Sequence, residues 1–217
     1  MSRFRRRRLL LRLGIAAPVI AFAATVLAML MFPGFDNATQ YLSELGGPRA
    51  PAPLVFNTGV ALAAIAAAAA GFGFCFAILA LGGSRVPAVL IALAFGMGAV
   101  GLVMASLFPW PARLHQAVNL GLGIQLAPIF LLWGLARARG VDRLRWFLGA
   151  VFVAMALLTV ITRHLVFPGT VNDANVGWWE RAFATVLVGW TGVAAFTLEQ
   201  RLLALAAAED AADSAGD

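Results

Sequence analysis

Long apolar runs alternate along the chain with short clusters of Arg, Pro, Gly and polar residues. Six runs stand out, at about 13–33, 54–81, 87–108, 114–136, 145–167 and 177–198. Each holds the roughly 20 apolar residues that a membrane-crossing helix needs at about 1.5 Å rise per residue. The pattern therefore predicts an all-α, polytopic membrane protein of six transmembrane helices. It divides the chain into a basic N-terminus (1–12), a membrane domain (13–200) and an acidic tail (201–217). The first run follows Arg3, Arg5, Arg6, Arg7, Arg8 and Arg12, as a signal peptide would. Its apolar stretch continues to Phe32, beyond a signal core of about 7–15 residues, so it reads as an uncleaved anchor.

Small residues predict helix-on-helix packing. Ala63, Ala64 and Ala66–Ala70 lead into Gly71 and Gly73 in the second run, and Ala94, Gly98 and Gly101 punctuate the third. In lipid, such residues associate helices by letting backbones approach. Pro18 and Pro128 mark kinks within the first and fourth runs. Phe32-Pro33, Phe108-Pro109 and Phe167-Pro168 read as one stop signal used three times.

Composition agrees with this pattern: 62% of residues are hydrophobic and 12% charged, against about 45–50% and 25% in soluble domains. A water-soluble enzyme and a disordered chain are excluded. All 16 basic residues are Arg and the net charge is +6, which alone would suggest nucleic acid, yet position accounts for the bias. Alternate loops receive twelve arginines on one side and four on the other (Arg49, Arg113, Arg163, Arg181). The arginine-rich side is expected to be cytoplasmic, which places both termini there, in a cell inner membrane, with no nucleic-acid partner. Cys75 has no partner in the chain, so no disulfide or CxxC metal pair arises.

Candidate chemistry collects at the opposite, outer end. Asp36, Glu44, Arg49, Arg113, His115, Arg163, His164, Asp173, Glu180 and Arg181 lie there, and their balanced charges predict ion pairs. His115 and Asn119, Thr159 and Arg163, and Arg181 and Thr185 are each four apart and share helical faces directed inward. The loop from Pro33 to Pro53 reads as a short amphipathic helix ending at Gly46-Gly47, carrying Glu44 as an acid, a metal ligand or a partner for Arg113, Arg163 or Arg181.

Tyr41-Leu42-Ser43-Glu44-Leu45-Gly46, Phe56-Asn57, Phe108-Pro109 with His115, and Gly177 with Glu180-Arg181 and Trp190 resemble the bacterial membrane family called domain of unknown function 998. In outline that family is similar to the six-span Frag1, DRAM and Sfk1 type of proteins. The resemblance covers about residues 13–200 and implies that Ser43, Glu44, Asn57, His115, Glu180 and Arg181 are the family-type polar positions. It transfers no activity, although the eukaryotic relatives imply lipid-linked or regulatory roles.

Several functions fit these residues. An outer pocket of Ser43, Glu44, Asn57, Arg113, His115, Asn119, Arg163, Glu180 and Arg181 would bind a lipid headgroup or small amphiphile, arginine suiting phosphate by its forked donors. Alternatively His115, His164 and Glu44 would hold zinc for an intramembrane hydrolase; no other cofactor is expected. A transporter would require the polar path to continue past Asn119 and Gln125, where small and apolar residues follow. A structural protein that binds another membrane protein and no ligand is the plainest alternative. Membrane lipids are the expected partners.

Overall fold

The computed structural model describes residues 3–163 and 166–215, leaving aside the side chains of 3–5, 116–122, 209, 210, 212, 213 and 215. Among the described residues there is no strand. Six α-helices follow one another: α1 (Arg3–Leu30), α2 (Pro53–Ala80), α3 (Arg85–Leu107), α4 (Ala127–Gly134), α5 (Asp142–Thr162) and α6 (Val176–Ala215). Two 3₁₀ stretches, Leu42–Gly46 and Arg113–Leu126, join α1 to α2 and lead into α4. All but α4 are long and apolar enough to cross a membrane. Neighbours in sequence pack side by side, and α6 closes the ring against α1.

The small residues do what their positions predict. A Cβ on Gly59 would strike the Ala24 methyl, and one on Gly71 would stand 2.5 Å from Phe95 Cβ. Van der Waals contact at this range replaces the hydrophobic drive that lipid does not supply. Gly192 leaves room for the Pro18 ring, 3.2 Å from where its Cβ would be, so the proline inside α1 is accommodated by a gap in α6. At the centre Phe74, Phe95 and Trp190 are buried together, with Phe74 stacked on Trp190 at 6.0 Å and Phe95 edge-on to it at 5.9 Å. The outside is apolar: Val19, Leu62, Ile65, Leu93, Val153 and Phe196 are exposed, the surface of a multi-pass membrane protein.

The fourth apolar run departs from the expected single helix. Its first part is 3₁₀ from Arg113 to Leu126, and α-helix begins only at Ala127, with Pro128 in the first turn of α4 rather than in a helix interior. Gly121 and Gly123 disfavour α-helix by about 1 kcal/mol each, and a proline in the first turn removes no internal bond. At about 2.0 Å rise, the 3₁₀ stretch alone covers roughly 28 Å. The stop signals also divide. Helix α1 ends at Leu30, just before Phe32-Pro33, and α3 ends at Leu107 with Phe108 as its cap. Helix α5 ends earlier, at Thr162, so Phe167-Pro168 lies in the loop before α6.

Ion pairs occur where the sequence did not predict them. At the end of the bundle carrying both termini, Glu199 of α6 is 5% exposed, and its Oε1 accepts from Arg8 Nε at 2.5 Å and Arg12 Nε at 2.9 Å. Arg145 pairs with Asp142 and donates to the Ala136 carbonyl at 2.6 Å, while Arg201 Nε donates to the Arg139 carbonyl at 3.0 Å. These guanidiniums fasten the connection between α4 and α5.

Candidate functional site

At the opposite end the loop after α1 is folded onto α6 by its own polar side chains. Asp36 accepts from the Ala38 N–H at 2.9 Å and the Thr39 hydroxyl at 2.8 Å. Its own N–H donates to Gln40 Oε1 at 2.7 Å, and Gln40 Nε2 donates to Glu44 at 3.1 Å. The second Glu44 oxygen accepts from the Tyr41 N–H at 2.9 Å, starting the 3₁₀ turn Leu42–Gly46. Asn57 Nδ2 donates to the Gly46 carbonyl at 3.0 Å and ties the turn to α2. The expected amphipathic helix is this one turn.

Helix α6 receives the loop. Glu180 accepts from the Leu42 N–H, and the Gly177 N–H donates to the Ala38 carbonyl at 2.7 Å. Arg181 donates to Asn37 Oδ1 at 3.0 Å and to the carbonyls of Gln40 at 2.9 Å and Gly177 at 2.7 Å. Its guanidinium lies 5.3 Å from the Phe35 ring centre, among the charges of Glu180, Asp36 and Glu44. One nitrogen, Nη2, is buried without a partner. Burial of Arg181 explains why Gly177 precedes it by one turn: a Cβ there would come within 2.5 Å of the Asn37 carbonyl and 2.8 Å of Arg181 Nη1.

The expected ion pairs between outer acids and arginines do not form among the described residues; the three ion pairs are all at the other end. Asp36, Glu44 and Glu180 instead accept backbone N–H groups. Such groups would otherwise lack partners where the chain leaves helix. The hydrogen bonds also hold Asp36 below the usual carboxylate range, the Ala38 N–H acting most strongly and the Thr39 hydroxyl next.

Two cavities flank this loop, and they separate the residues expected to form one pocket. The larger, about 460 Å³, lies between α5, α6 and the 3₁₀ segment. Its α5 wall is Thr159, Thr162 and Arg163; its α6 wall is Val176, Trp179, Glu180 and Phe183. Gln125 and Tyr41 complete it, and Gln125 Oε1 accepts the Thr159 hydroxyl at 2.9 Å across the gap. The smaller, about 280 Å³, is bounded by Glu44, Arg49, Trp110 and Pro111.

Among the described residues of the expected set, only Arg163 and Glu180 reach the larger cavity, and Glu44 faces the smaller. Ser43 and Asn57 are half-buried and belong to the turn and its clamp. Arg113 is exposed on neither cavity, and Arg181 is turned into the loop. His115 Nδ1 lies 3.2 Å from the Ala105 carbonyl and its ring packs edge-on to Trp110 at 6.2 Å. His164 and the Asn119 side chain lie outside the described residues. Among the described residues, no three His, Cys, Asp or Glu come close enough to share a metal ion. Gln125, Thr162 and Phe183 were not in the expected set. For Thr162 and Phe183 the signal was helical spacing: Thr159, Thr162 and Arg163 fall on one face, and Val176, Trp179, Glu180 and Phe183 on another.

The fold and cavity define a class, an all-helical multi-pass membrane protein with a polar recess at one end. The chain belongs to the DUF998 family of proteins of unknown function, whose model matches residues 15–197. No curated protein and no solved structure matches it.

Proposed function

We propose that this protein recognises a lipid headgroup or small amphiphile in the cavity between α5, α6 and the 3₁₀ segment. The carrying observation is that cavity of about 460 Å³, which combines a guanidinium, a carboxylate and hydroxyls with the apolar walls of Val171, Val176, Trp179 and Phe183. Ligand recesses pair an apolar lining with a few placed polar groups in this way. In this reading the polypeptide crosses an inner membrane six times, the 3₁₀ segment and α4 together making the fourth crossing. The arginine excess beside α1 holds both termini in the cytoplasm, and the cavity lies at the outer leaflet. A relationship to the Frag1, DRAM and Sfk1 proteins, proposed on the sequence resemblance alone, would agree with a lipid-linked role.

The metal-hydrolase reading has less support, because Glu44 is engaged by Gln40 and the Tyr41 N–H, and His115 faces a backbone carbonyl. Native mass spectrometry of the detergent-purified protein tests the proposal. Thr162→Phe, which fills the cavity, should remove a retained lipid mass, whereas Glu44→Ala, on the other cleft, should keep it. Equal retention in both variants would overturn the cavity assignment. No retained or added lipid in any sample would favour a protein that binds a membrane partner instead, and a retained metal mass lost in Glu44→Ala would favour the hydrolase.

A further inference from the structure

The two walls of the cavity differ in sign. Helix α5 contributes Arg163 one turn beyond Thr159, and the Thr159 hydroxyl occupies Gln125 Oε1. The Gln125 amide N–H groups and the Arg163 guanidinium are the donors this wall offers the cavity, while the Thr162 hydroxyl proton goes to the Leu158 carbonyl at 2.7 Å. Helix α6 presents the Glu180 carboxylate with Trp179 and Phe183 beside it, and Tyr41 faces them from the loop. One Glu180 oxygen holds the Leu42 N–H, leaving the second as an acceptor. Arg163 and Glu180 line one cavity yet form no ion pair. Opposite charges facing a shared space without pairing leave room for a ligand that bridges them.

Resting on the lipid-cavity reading, we infer that the ligand is a zwitterion carrying a primary ammonium and a phosphate, the chemistry of a phosphoethanolamine headgroup. The ammonium sits against Glu180 and the aromatic faces of Trp179 and Tyr41, which attract a cation through their ring quadrupoles. The phosphate meets the fork of Arg163 and the Gln125 amide. A purely anionic headgroup would leave Glu180 facing negative charge. A quaternary ammonium would lose the hydrogen bonds to the carboxylate.

The test adds lipids to the delipidated, detergent-purified full chain and reads binding by native mass spectrometry. Probes are short-chain phosphatidylethanolamine, phosphatidylcholine and phosphatidylglycerol, with soluble O-phosphoethanolamine beside them. Phosphatidylethanolamine is expected to bind about tenfold more tightly than phosphatidylglycerol, as one charge-assisted hydrogen bond of about 1.4 kcal/mol implies. Glu180→Gln keeps an acceptor for the Leu42 N–H, so the loop stays docked, and it should erase that preference. Arg163→Gln, on an exposed side chain, should weaken both phospholipids alike. Soluble O-phosphoethanolamine binding as tightly as the lipid would uphold the zwitterion and identify a free solute as its source. Phosphatidylglycerol binding as well as phosphatidylethanolamine, and lost in Thr162→Phe, would overturn the zwitterion while the cavity reading stands. Preference unchanged in Glu180→Gln would overturn it as well, and binding by none of the probes would overturn both.

Discussion

Arg181 shows how one side chain can look like a ligand-binding group and be a structural one. Its three bonds to Asn37, Gln40 and Gly177 need a planar fork that no other residue provides. Arg181→Ala should therefore lower stability by about 2 kcal/mol, the scale of hydrogen bonds to a charged group, and Arg181→Lys should recover only part of it. Thermal unfolding in detergent measures both; a harmless Arg181→Ala would mean the loop is held elsewhere. Asp36 adds a pH dependence. Its carboxyl lies below its ordinary range in the folded loop, so its contribution is complete above the unfolded pKa of about 4 and disappears as pH falls through the lower folded value. Amide exchange at residues 37–40, corrected for intrinsic rates, should rise in that acid window and lose the dependence in Asp36→Asn. Sequence position placed Arg181 at the right end of the right helix, but it carried no sign of whether the side chain turns toward loop or cavity. That choice depends on carbonyls of Asn37 and Gln40, about 140 residues away in the chain and brought near only by the fold.

At the scale of elements, the docking of the loop on α6 depends on Gly177 as much as on Arg181. The Gly177 N–H bonds the Ala38 carbonyl at 2.7 Å while its Cα faces the Asn37 and Gln40 carbonyls, which a Cβ would meet at 2.5 and 2.6 Å. Backbone carbonyls cannot rotate aside as a long side chain can. Gly177→Ala is expected to push the loop off α6, raising exchange throughout residues 36–46 while α2 and α3 keep their protection. Uniform protection across those segments would show that the contact gives way without consequence. The long helices were legible because their apolar length is a strong signal. The 3₁₀ stretch was not, since Leu114–Gly134 is long and apolar enough to read as a span, although His115, Gln116, Asn119 and Gln125 interrupt its first half and Gly121, Gly123 and Pro128 disfavour a continuous helix. The outer acids misled for a related reason: charge balance reports opposite signs nearby, while Asp36, Glu44 and Glu180 answer to loop N–H groups that composition does not display.

Across the whole molecule, ring closure brings α1 and α6 together at the arginine-rich end, where one buried carboxylate meets two arginines that are 39% and 54% exposed at the side chain. The asymmetry in burial fixes the order of mutational effects. In Glu199→Gln, Arg8 and Arg12 can turn to water or to anionic headgroups, so the change should cost only about 1–2 kcal/mol. The double variant Arg8→Gln with Arg12→Gln strands the carboxylate, and an uncompensated buried charge costs about 3–5 kcal/mol. Adding Glu199→Gln to that double variant should then restore stability, because it removes the stranded charge. The interaction is thus expected to be strongly non-additive, as groups sharing one network are. Thermal unfolding of the four proteins in one detergent decides it. If the double variant is no less stable than Glu199→Gln, the carboxylate reaches solvent once the arginines are gone. The closure between α1 and α6 then rests on the glycine contacts of Gly14 and Gly192 rather than on charge.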